Sequence, residues 1–432
     1  MLEELKNAAR KVQGERELRS LMFDCRRLMS ERGEANSVAI ARQLLARYGE
    51  LPDEQRHAFF ERLAHDFSPD PAAVLQSAQA YAKDPNAANL LRLTRLAEPP
   101  RQELLRRINR SDGGTAGIVA MRRALLARLA KRPELQAVDA DFRHLLSSWF
   151  NPGFLQLERV DWNSPAQLLE QIIRHEAVHQ IDGWDDLRRR LQPDRRCFAF
   201  QHPQLPHEPL IFVEVALLPE MPGAIAPLID KASEPVPPKQ FKVAAFYSIS
   251  NCQPGLRGVS MGNFLIKRVA EELQRELPQL RTFCTLSPIP GFAAWLRAGA
   301  PCPGLPKARA ERLAHAQAAL RAHGGADMAA LANADALRHL DREATEALLR
   351  LCAFYLAMVS PTEHGDPVAR FHLDNGARLE RLNMLGDLST KGVKQSLGLM
   401  VNYLYDLDRI EAHHEKFVLG SVAHSRAVST LL

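Results

Sequence analysis

Val243-Ala-Ala-Phe-Tyr-Ser-Ile-Ser250, Leu256-Arg-Gly-Val-Ser-Met-Gly-Asn263 and Phe283-Cys-Thr-Leu-Ser-Pro-Ile-Pro-Gly-Phe292 follow one another closely along the chain. The first is an apolar, β-prone run. The second is a glycine-bearing loop, and the segment Met261 to Leu277 after it places Leu265, Val269, Leu273 and Leu277 on one helical face before Pro278 stops it. Arg281 to Leu286 then reads as a strand leading into Ser287. Strand, loop, helix and strand in succession indicate an α/β region. Two further β-type runs precede it, Arg196 to Phe200 and Pro209 to Leu217, the latter separated from Val243 by the loop Glu234-Pro-Val-Pro-Pro-Lys239. Within the third stretch, Pro288 biases Ser287 away from helix and toward an extended conformation at a strand's exit. Rigid scaffolds often present reactive groups at such positions, although the same local sequence also describes an ordinary turn serine.

Working outward, residues 1–148 read as all-helical. Leu18, Leu21, Cys25 and Leu28 recur at three- and four-residue spacing, as do Ile40, Leu44, Leu45 and Tyr48. Breaks fall at Leu51-Pro-Asp-Glu, Ser68-Pro-Asp-Pro and Pro99-Pro-Arg, with Asp53 or Ser68 expected to cap the helices that follow. Arg and Glu interleave on the polar faces, and nothing here resembles a catalytic constellation; the expected role is packing or oligomerisation. Composition shifts at the aromatic hinge Trp149-Phe-Asn-Pro-Gly-Phe154. The expected fold class is therefore α+β, an N-terminal all-helical domain over 1–148 followed by an α/β domain over 149–432, with an Ala-rich helical insertion at roughly 306–360.

The length of 432 residues exceeds a typical single core. Hydrophobic residues at 46% with 25% charged describe a globular chain. A formal charge of +5 suits an anionic ligand but is too small and dispersed for nucleic acid. The six cysteines form no CxxC pair, so reduced thiols are expected. Met1-Leu-Glu-Glu-Leu-Lys is neither a secretory signal nor a transit peptide, and no apolar run approaches the ~18–20 residues of a membrane span. Ser429-Thr-Leu-Leu432 is no peroxisomal address. A soluble, cytoplasmic protein is expected.

Three motifs bear on chemistry. In the glycine loop, Gly258 and Gly262 let backbone approach a ligand, and the free N–H groups of the following helix suit a pyrophosphate. The loop resembles the Q/R-x-x-G-x-G/A turn with which GNAT acyltransferases hold the coenzyme A diphosphate; Arg257 and Gly262 fit, and Ser260 stands at the first glycine. His175-Glu-Ala-Val-His179 satisfies the zinc-hydrolase pattern H-E-x-x-H, with Leu168, Leu169, Ile172 and Ile173 supporting a helix before it. Gln180-Ile-Asp-Gly-Trp184 ends that helix promptly and no third-ligand motif follows, so the segment reads as a solvated helix end and no metal is expected. In Phe371-His-Leu-Asp-Asn-Gly376, His372 lies in an apolar segment before a turn, either a satisfied structural histidine or a general acid or base.

Taken in order, these pieces resemble the malonyl-CoA decarboxylase family. The matching blocks are Phe150-Asn-Pro-Gly-Phe-Leu155, Phe246-Tyr-Ser-Ile-Ser250, Gly258 through Val269, Leu286-Ser-Pro-Ile-Pro-Gly-Phe292 with Trp295, Val368 through Ala377, and Gly398-Leu-Met-Val-Asn-Tyr403. The helical part matches more loosely, through Cys25-Arg-Arg-Leu-Met-Ser-Glu-Arg-Gly33. The resemblance implies decarboxylation of malonyl-CoA to acetyl-CoA without metal or organic cofactor. It implies a catalytic domain of GNAT-like fold and a helical domain that builds a homo-oligomer, dimer or tetramer. It assigns Ser287 and His372 as catalytic, and Arg257, Gly258, Val259, Ser260, Met261, Gly262 and Asn263 as the substrate loop. Animal members carry an acidic residue at the position of Ser260, which leaves that position's contacts to its backbone.

The chemistry fits these residue types. Loss of carbon dioxide leaves an enolate whose oxygen needs a preorganised donor and whose carbon needs a proton. His372 is read as the proton donor, and Ser287 as the group that orients the departing carboxylate, formally as proton acceptor. Tyr403, Tyr405 and Asn375 are supporting candidates, Tyr405 also as a substrate contact. The same features are shared by an acyl-CoA-dependent N-acyltransferase and by a non-catalytic CoA-binding protein; an amine acceptor, or binding without turnover, distinguishes them.

Overall fold

The computed structural model describes residues 2–30, 36–206, 208–259, 265–325 and 328–432, with the side chains of residues 2–11 outside the description. Contacts divide the chain into two units, the first comprising residues 1–156, 201–208 and 253–261, the second the remainder. Helical periodicity in the first unit produces α1 (Leu2–Met29), α2 (Ser37–Glu50), α3 (Asp53–Asp66), α4 (Pro71–Lys83), α5 (Ala87–Ala97), α6 (Pro100–Asn109), α7 (Gly114–Leu126) and α8 (Gln136–Trp149). Leu21, Cys25 and Leu28 of α1 and Ile40, Leu44 and Tyr48 of α2 are buried, as their spacing requires. Tyr48, Phe59, Phe60 and Phe142 pack edge-to-face at 5.3–6.4 Å between ring centres. Each such burial stabilises by about 1.5–3 kcal/mol.

The caps differ from expectation. Asp53 lies inside the first turn of α3, after Pro52, where it favours the helix only through the dipole. Ser68 donates back to the Ala64 carbonyl at 2.6 Å, closing α3; Asp70 is the residue that caps α4, accepting from Ala72 N–H at 3.0 Å. The pair α4–α5 is well capped yet buries little: Ser77 is the buried residue of α4, α5 has none, and Leu75, Leu90 and Leu91 are exposed. In the same unit, buried Arg122 joins Asp139 and the Gly255 carbonyl at 2.8 Å each.

The second unit runs β1 (Gln156–Val160, its first residue lying in the first unit), α9 (Ala166–His175), α10 (Gly183–Arg190), β2 (Arg195–Gln201), β3 (Ile211–Leu218), α11 (Ala226–Ile229), β4 (Val243–Asn251), α12 (Leu265–Glu276), β5 (Thr282–Thr285), β6 (Ser287–Pro288) and α13 (Phe292–Arg297). It continues through α14 (Lys307–Gly324), α15 (Ala334–Arg338), α16 (Arg342–Phe354), α17 (Pro367–Asp374), β7 (Arg378–Asn383), α18 (Thr390–Ser396), β8 (Met400–Leu404), α19 (Ile410–Val418) and α20 (Arg426–Ser429). The α+β class is as expected. The sheet order is β1-β2-β3-β4-β5-β8-β6, with β7 also on β8. β2, β3 and β4 are antiparallel, β4 and β5 are parallel with α12 as their crossover, and β8 is antiparallel to β5, β6 and β7. On α12, Leu265, Ile266, Val269, Ala270 and Leu273 are buried, the apolar face its sequence shows.

One register detail opens the functional site. β4 pairs with β3 from Val243 to Asn251, with one bulge at Tyr247, but with β5 only from Val243↔Thr282 to Phe246↔Thr285. After Leu286 N–H donates to the Phe246 carbonyl, the chain leaves β4 and Ser287 pairs with Val401 of β8 instead. The two strands diverge there, and the remaining edge of β4 borders a cavity.

Candidate active site

Ser287 reaches its position through period-two alternation. It and Thr285 point to the same side of the departing chain, and Ser287 Oγ donates to Thr285 Oγ1 at 2.9 Å. Thr285 is itself fixed by β8: Tyr403 N–H donates to its Oγ1 at 3.1 Å, and Asn402 Nδ2 to its carbonyl at 2.7 Å. Sequence reasoning passed over Thr285 and Asn402; the two-residue spacing to Ser287 was the available signal for the first.

His372 comes from the last turn of α17. Asp366 caps that helix, accepting from Val368 and Ala369 N–H at 3.0 and 3.1 Å, with Pro367 at the first helical position. The other Asp366 oxygen accepts from Gly291 N–H at 2.9 Å, so one buried carboxyl ties the start of α17 to the Pro-Ile-Pro-Gly run after Ser287. Gly376, at φ +79°, ends the segment, and a Cβ there would meet the Ile410 carbonyl at 2.3 Å. The result brings His372 Nε2 to 3.0 Å from Ser287 Oγ, both side chains buried. His372 Nδ1 lies 2.9 Å from Tyr405 Oη, and the Tyr403 ring stacks on the imidazole at 4.8 Å.

Burial lowers the His372 pKa to about 3, so the ring is neutral near pH 7, with one nitrogen donating and one accepting. Burial also pushes the Tyr405 phenol well above its ordinary range. Tyr405 O–H, His372, Ser287 and Thr285 thus form a continuous hydrogen-bonded chain. With the ring proton on Nε2, Tyr405 donates to Nδ1, Nε2 donates to Ser287, and Ser287 donates to Thr285. Ser287 and His372 open onto a cavity of about 280 Å³ whose other lining includes Val178, Phe246, Ser248, Pro367 and Phe371. That volume is at the small end for a small-molecule pocket.

The other candidates sit as follows. Arg257 and Val259 flank Gly258, which is left-handed at φ +74°, a conformation that glycine adopts without penalty; all three belong to the first unit. Ser260, Met261, Gly262 and Asn263 lie outside the described residues. Asn375 turns back onto the Phe371 carbonyl at 2.7 Å. The H-E-x-x-H segment is no solvated helix end: α9 stops at His175, and Glu176 and His179 are buried beyond it. The two imidazoles therefore do not share a helical turn, and the buried carboxylate of Glu214 on β3, a possible third ligand, is engaged by Arg190 at 2.9 Å. Burial draws the segment inward because Glu176 has four donors to satisfy it there.

Residues 153–432 match the malonyl-CoA decarboxylase C-terminal domain, and residues 67–150 the malonyl-CoA decarboxylase N-terminal domain. The chain belongs to the malonyl-CoA decarboxylase family. As a family member it is an enzyme, a carboxy-lyase. It is 37% identical over 385 residues to the mitochondrial malonyl-CoA decarboxylase of Mus musculus, covering 84% of this chain and 78% of the mouse protein. Similarity to the Anser anser anser protein is 36% over 369 residues, covering 80% and 73%. The crystal structure of malonyl-CoA decarboxylase from Rhodopseudomonas palustris shares 48% identity at a TM-score of 0.82, covering 96% of this chain and 99% of that one. The Agrobacterium vitis structure shares 46% at 0.80, covering 95% and 99%.

Proposed function

We propose that this protein decarboxylates malonyl-CoA to acetyl-CoA and carbon dioxide in the cavity beside β4, using Ser287 and His372 with neither metal nor organic cofactor. The observation that carries the reading is the 3.0 Å approach of Ser287 Oγ to His372 Nε2 at that cavity's wall. With substrate bound, Ser287 turns its hydroxyl proton from Thr285 Oγ1 to the departing carboxylate, while its Oγ still accepts from His372 Nε2. The bond between the carboxylate and C2 breaks, its electron pair passes into the thioester as an enolate, and carbon dioxide leaves. His372 donates its proton to C2 and is reprotonated from solvent after acetyl-CoA departs. A positioned acid of this kind contributes roughly 10²–10⁴ in rate. Tyr405 acts through His372 Nδ1 by holding the ring tautomer.

The loop over 257–263 is assigned to the CoA diphosphate through its backbone N–H groups, a role that the left-handed Gly258 supports. The parallel pair β4–β5 with its crossover α12 suits a GNAT-like core, and the helical domain is assigned to homo-oligomer assembly. Six unpaired cysteines, all but Cys302 buried, suit a reducing compartment such as the cytoplasm. No helix among the described residues is long and apolar enough to cross a membrane.

The test is acetyl-CoA formation from malonyl-CoA by metal-stripped protein, with no second substrate. Ser287→Ala and His372→Ala are each expected to lower kcat by about 10²–10⁴. Full activity in both variants rejects the mechanism, and a requirement for added metal rejects cofactor independence.

A further inference from the structure

Glu176 stands where α9 ends, and the groups around its carboxylate are all donors. The N–H groups of Val178 and His179 reach Oε1 at 2.8 Å each. Ser248 Oγ reaches the two oxygens at 2.8 and 2.6 Å, and Ser250 Oγ reaches Oε2 at 3.2 Å. Ser250 Oγ in turn accepts from Ala177 N–H at 3.1 Å. The two serines are alternate residues of β4 and share one face of it. From α18, Lys391 Nζ donates to the carbonyls of Ala177 and Val178, at 3.0 Å each. Glu176 N–H still closes the last turn of α9 on the Ile172 carbonyl at 3.1 Å, but the N–H groups of Ala177, Val178 and His179 bond to side chains and not to helix or sheet backbone. They are fastened to β4 through a carboxylate and a hydroxyl, and the turn's carbonyls to an ammonium. Hydrogen bonds to charged partners are the stronger kind. Val178, held by both fastenings, lines the same cavity as Ser287 and His372.

We propose that Glu176 is a positioning residue whose carboxylate, assisted by Lys391, holds Val178 as the wall that sets the size of the acyl group this cavity accepts. The inference rests on the cavity being the acyl site. At about 280 Å³ the space is at the small end for a small-molecule pocket, so a wall held fixed at Val178 can discriminate against a substrate bearing one more methyl on C2. An apolar wall discriminates one carbon by about 10–200-fold, and does so only if the wall is stiff. A valine on an unsupported turn would yield; on this one it cannot without breaking charge-assisted bonds.

The measurement is the ratio of kcat/KM for malonyl-CoA to that for methylmalonyl-CoA, in the parent chain and in Val178→Ala, Glu176→Ala, Glu176→Gln and Lys391→Ala. Val178→Ala and Glu176→Ala are expected to lower the ratio about tenfold or more. Glu176→Gln, which keeps an acceptor for the two N–H groups, should restore much of it, and Lys391→Ala should lower it about threefold. A stability defect alone slows both substrates equally and leaves the ratio fixed. A parent chain without preference, or a ratio unmoved in Glu176→Ala and Lys391→Ala while Val178→Ala shifts it, overturns the proposal. So does an unmoved ratio in Val178→Ala. If Glu176→Ala does not fold, exposed Lys391 carries the same test. Full activity in both Ser287→Ala and His372→Ala would instead reject the site itself, an outcome separable from any change in ratio.

Discussion

Removing an imidazole from water penalises its charged form, and His372 shows the consequence in a pKa lowered to about 3; His179, also buried, is lowered to about 4. Both folded-state values lie below the unfolded value near 6.5, so the unfolded chain binds more protons in acid. The associated stability is complete above about pH 6.5 and is lost as pH falls toward 4 and then 3, with each site costing about 2 kcal/mol by pH 5. Urea denaturation at pH 8 and pH 5 should therefore show a difference that shrinks by about 2 kcal/mol in His372→Asn. An unchanged difference contradicts the buried neutral ring. For the same reason kcat should show no limb from His372 between pH 5.5 and 8. Tyr405→Phe leaves His372 Nδ1 without its partner and is expected to lower kcat about tenfold with KM little changed, read in the same acetyl-CoA assay. Residue chemistry was only partly legible in the sequence. Ser287 and His372 stood out by local setting, but their approach across 85 positions had no local signal. Glu176 was seen in a motif read as a solvated helix end, and that reading concealed its burial and its hydrogen bonds to β4.

At the scale of elements, legibility followed burial. β2, β3, β4, β5 and α12 are continuous or one-sided apolar runs, and the sequence shows them. β1 (Gln156-Leu-Glu-Arg-Val160) and β7 (Arg378-Leu-Glu-Arg-Leu-Asn383) were missed because they are half-exposed and charged, which removes the hydrophobic signal. The same logic explains the cap assignments: a proline at the first helical position moves the N-cap to the residue before it, Asp70 for α4 and Asp366 for α17. Asp366 couples two elements, so its loss should exceed that of an ordinary cap. Asp366→Ala removes a cap worth about 0.5–2 kcal/mol and leaves the Gly291 N–H without its acceptor, a further 1–3 kcal/mol. Thermal or urea unfolding should register about 2–4 kcal/mol, and kcat should fall because Ser287 and His372 are no longer referenced to one another. A loss below 1 kcal/mol would show that the tie carries little.

For the molecule as a whole, the hairpin α4–α5 bears on assembly. Pro71 to Ala82 contains no charged side chain, yet α4 is largely exposed, and Leu75, Leu90 and Leu91 face outward. A stripe so depleted of charge suits the centre of an interface. Under the assembly role proposed for the helical domain, Leu75→Glu with Leu91→Glu should lower the mass measured by light scattering without altering helix content. An unchanged mass moves the interface elsewhere. The sheet order has a different consequence, one of timing. β8, at Met400–Leu404, lies between β5 and β6 in space though more than a hundred residues after them in sequence. Thr285 is held by Asn402 and Tyr403, and His372 by Tyr405. A growing chain synthesised from its N-terminus at ~5–20 residues per second therefore passes through the lengths at which β5, Ser287 and α17 all exist without being able to assemble them. Activity should arrive late and abruptly during synthesis, with the emergence of a single five-residue strand.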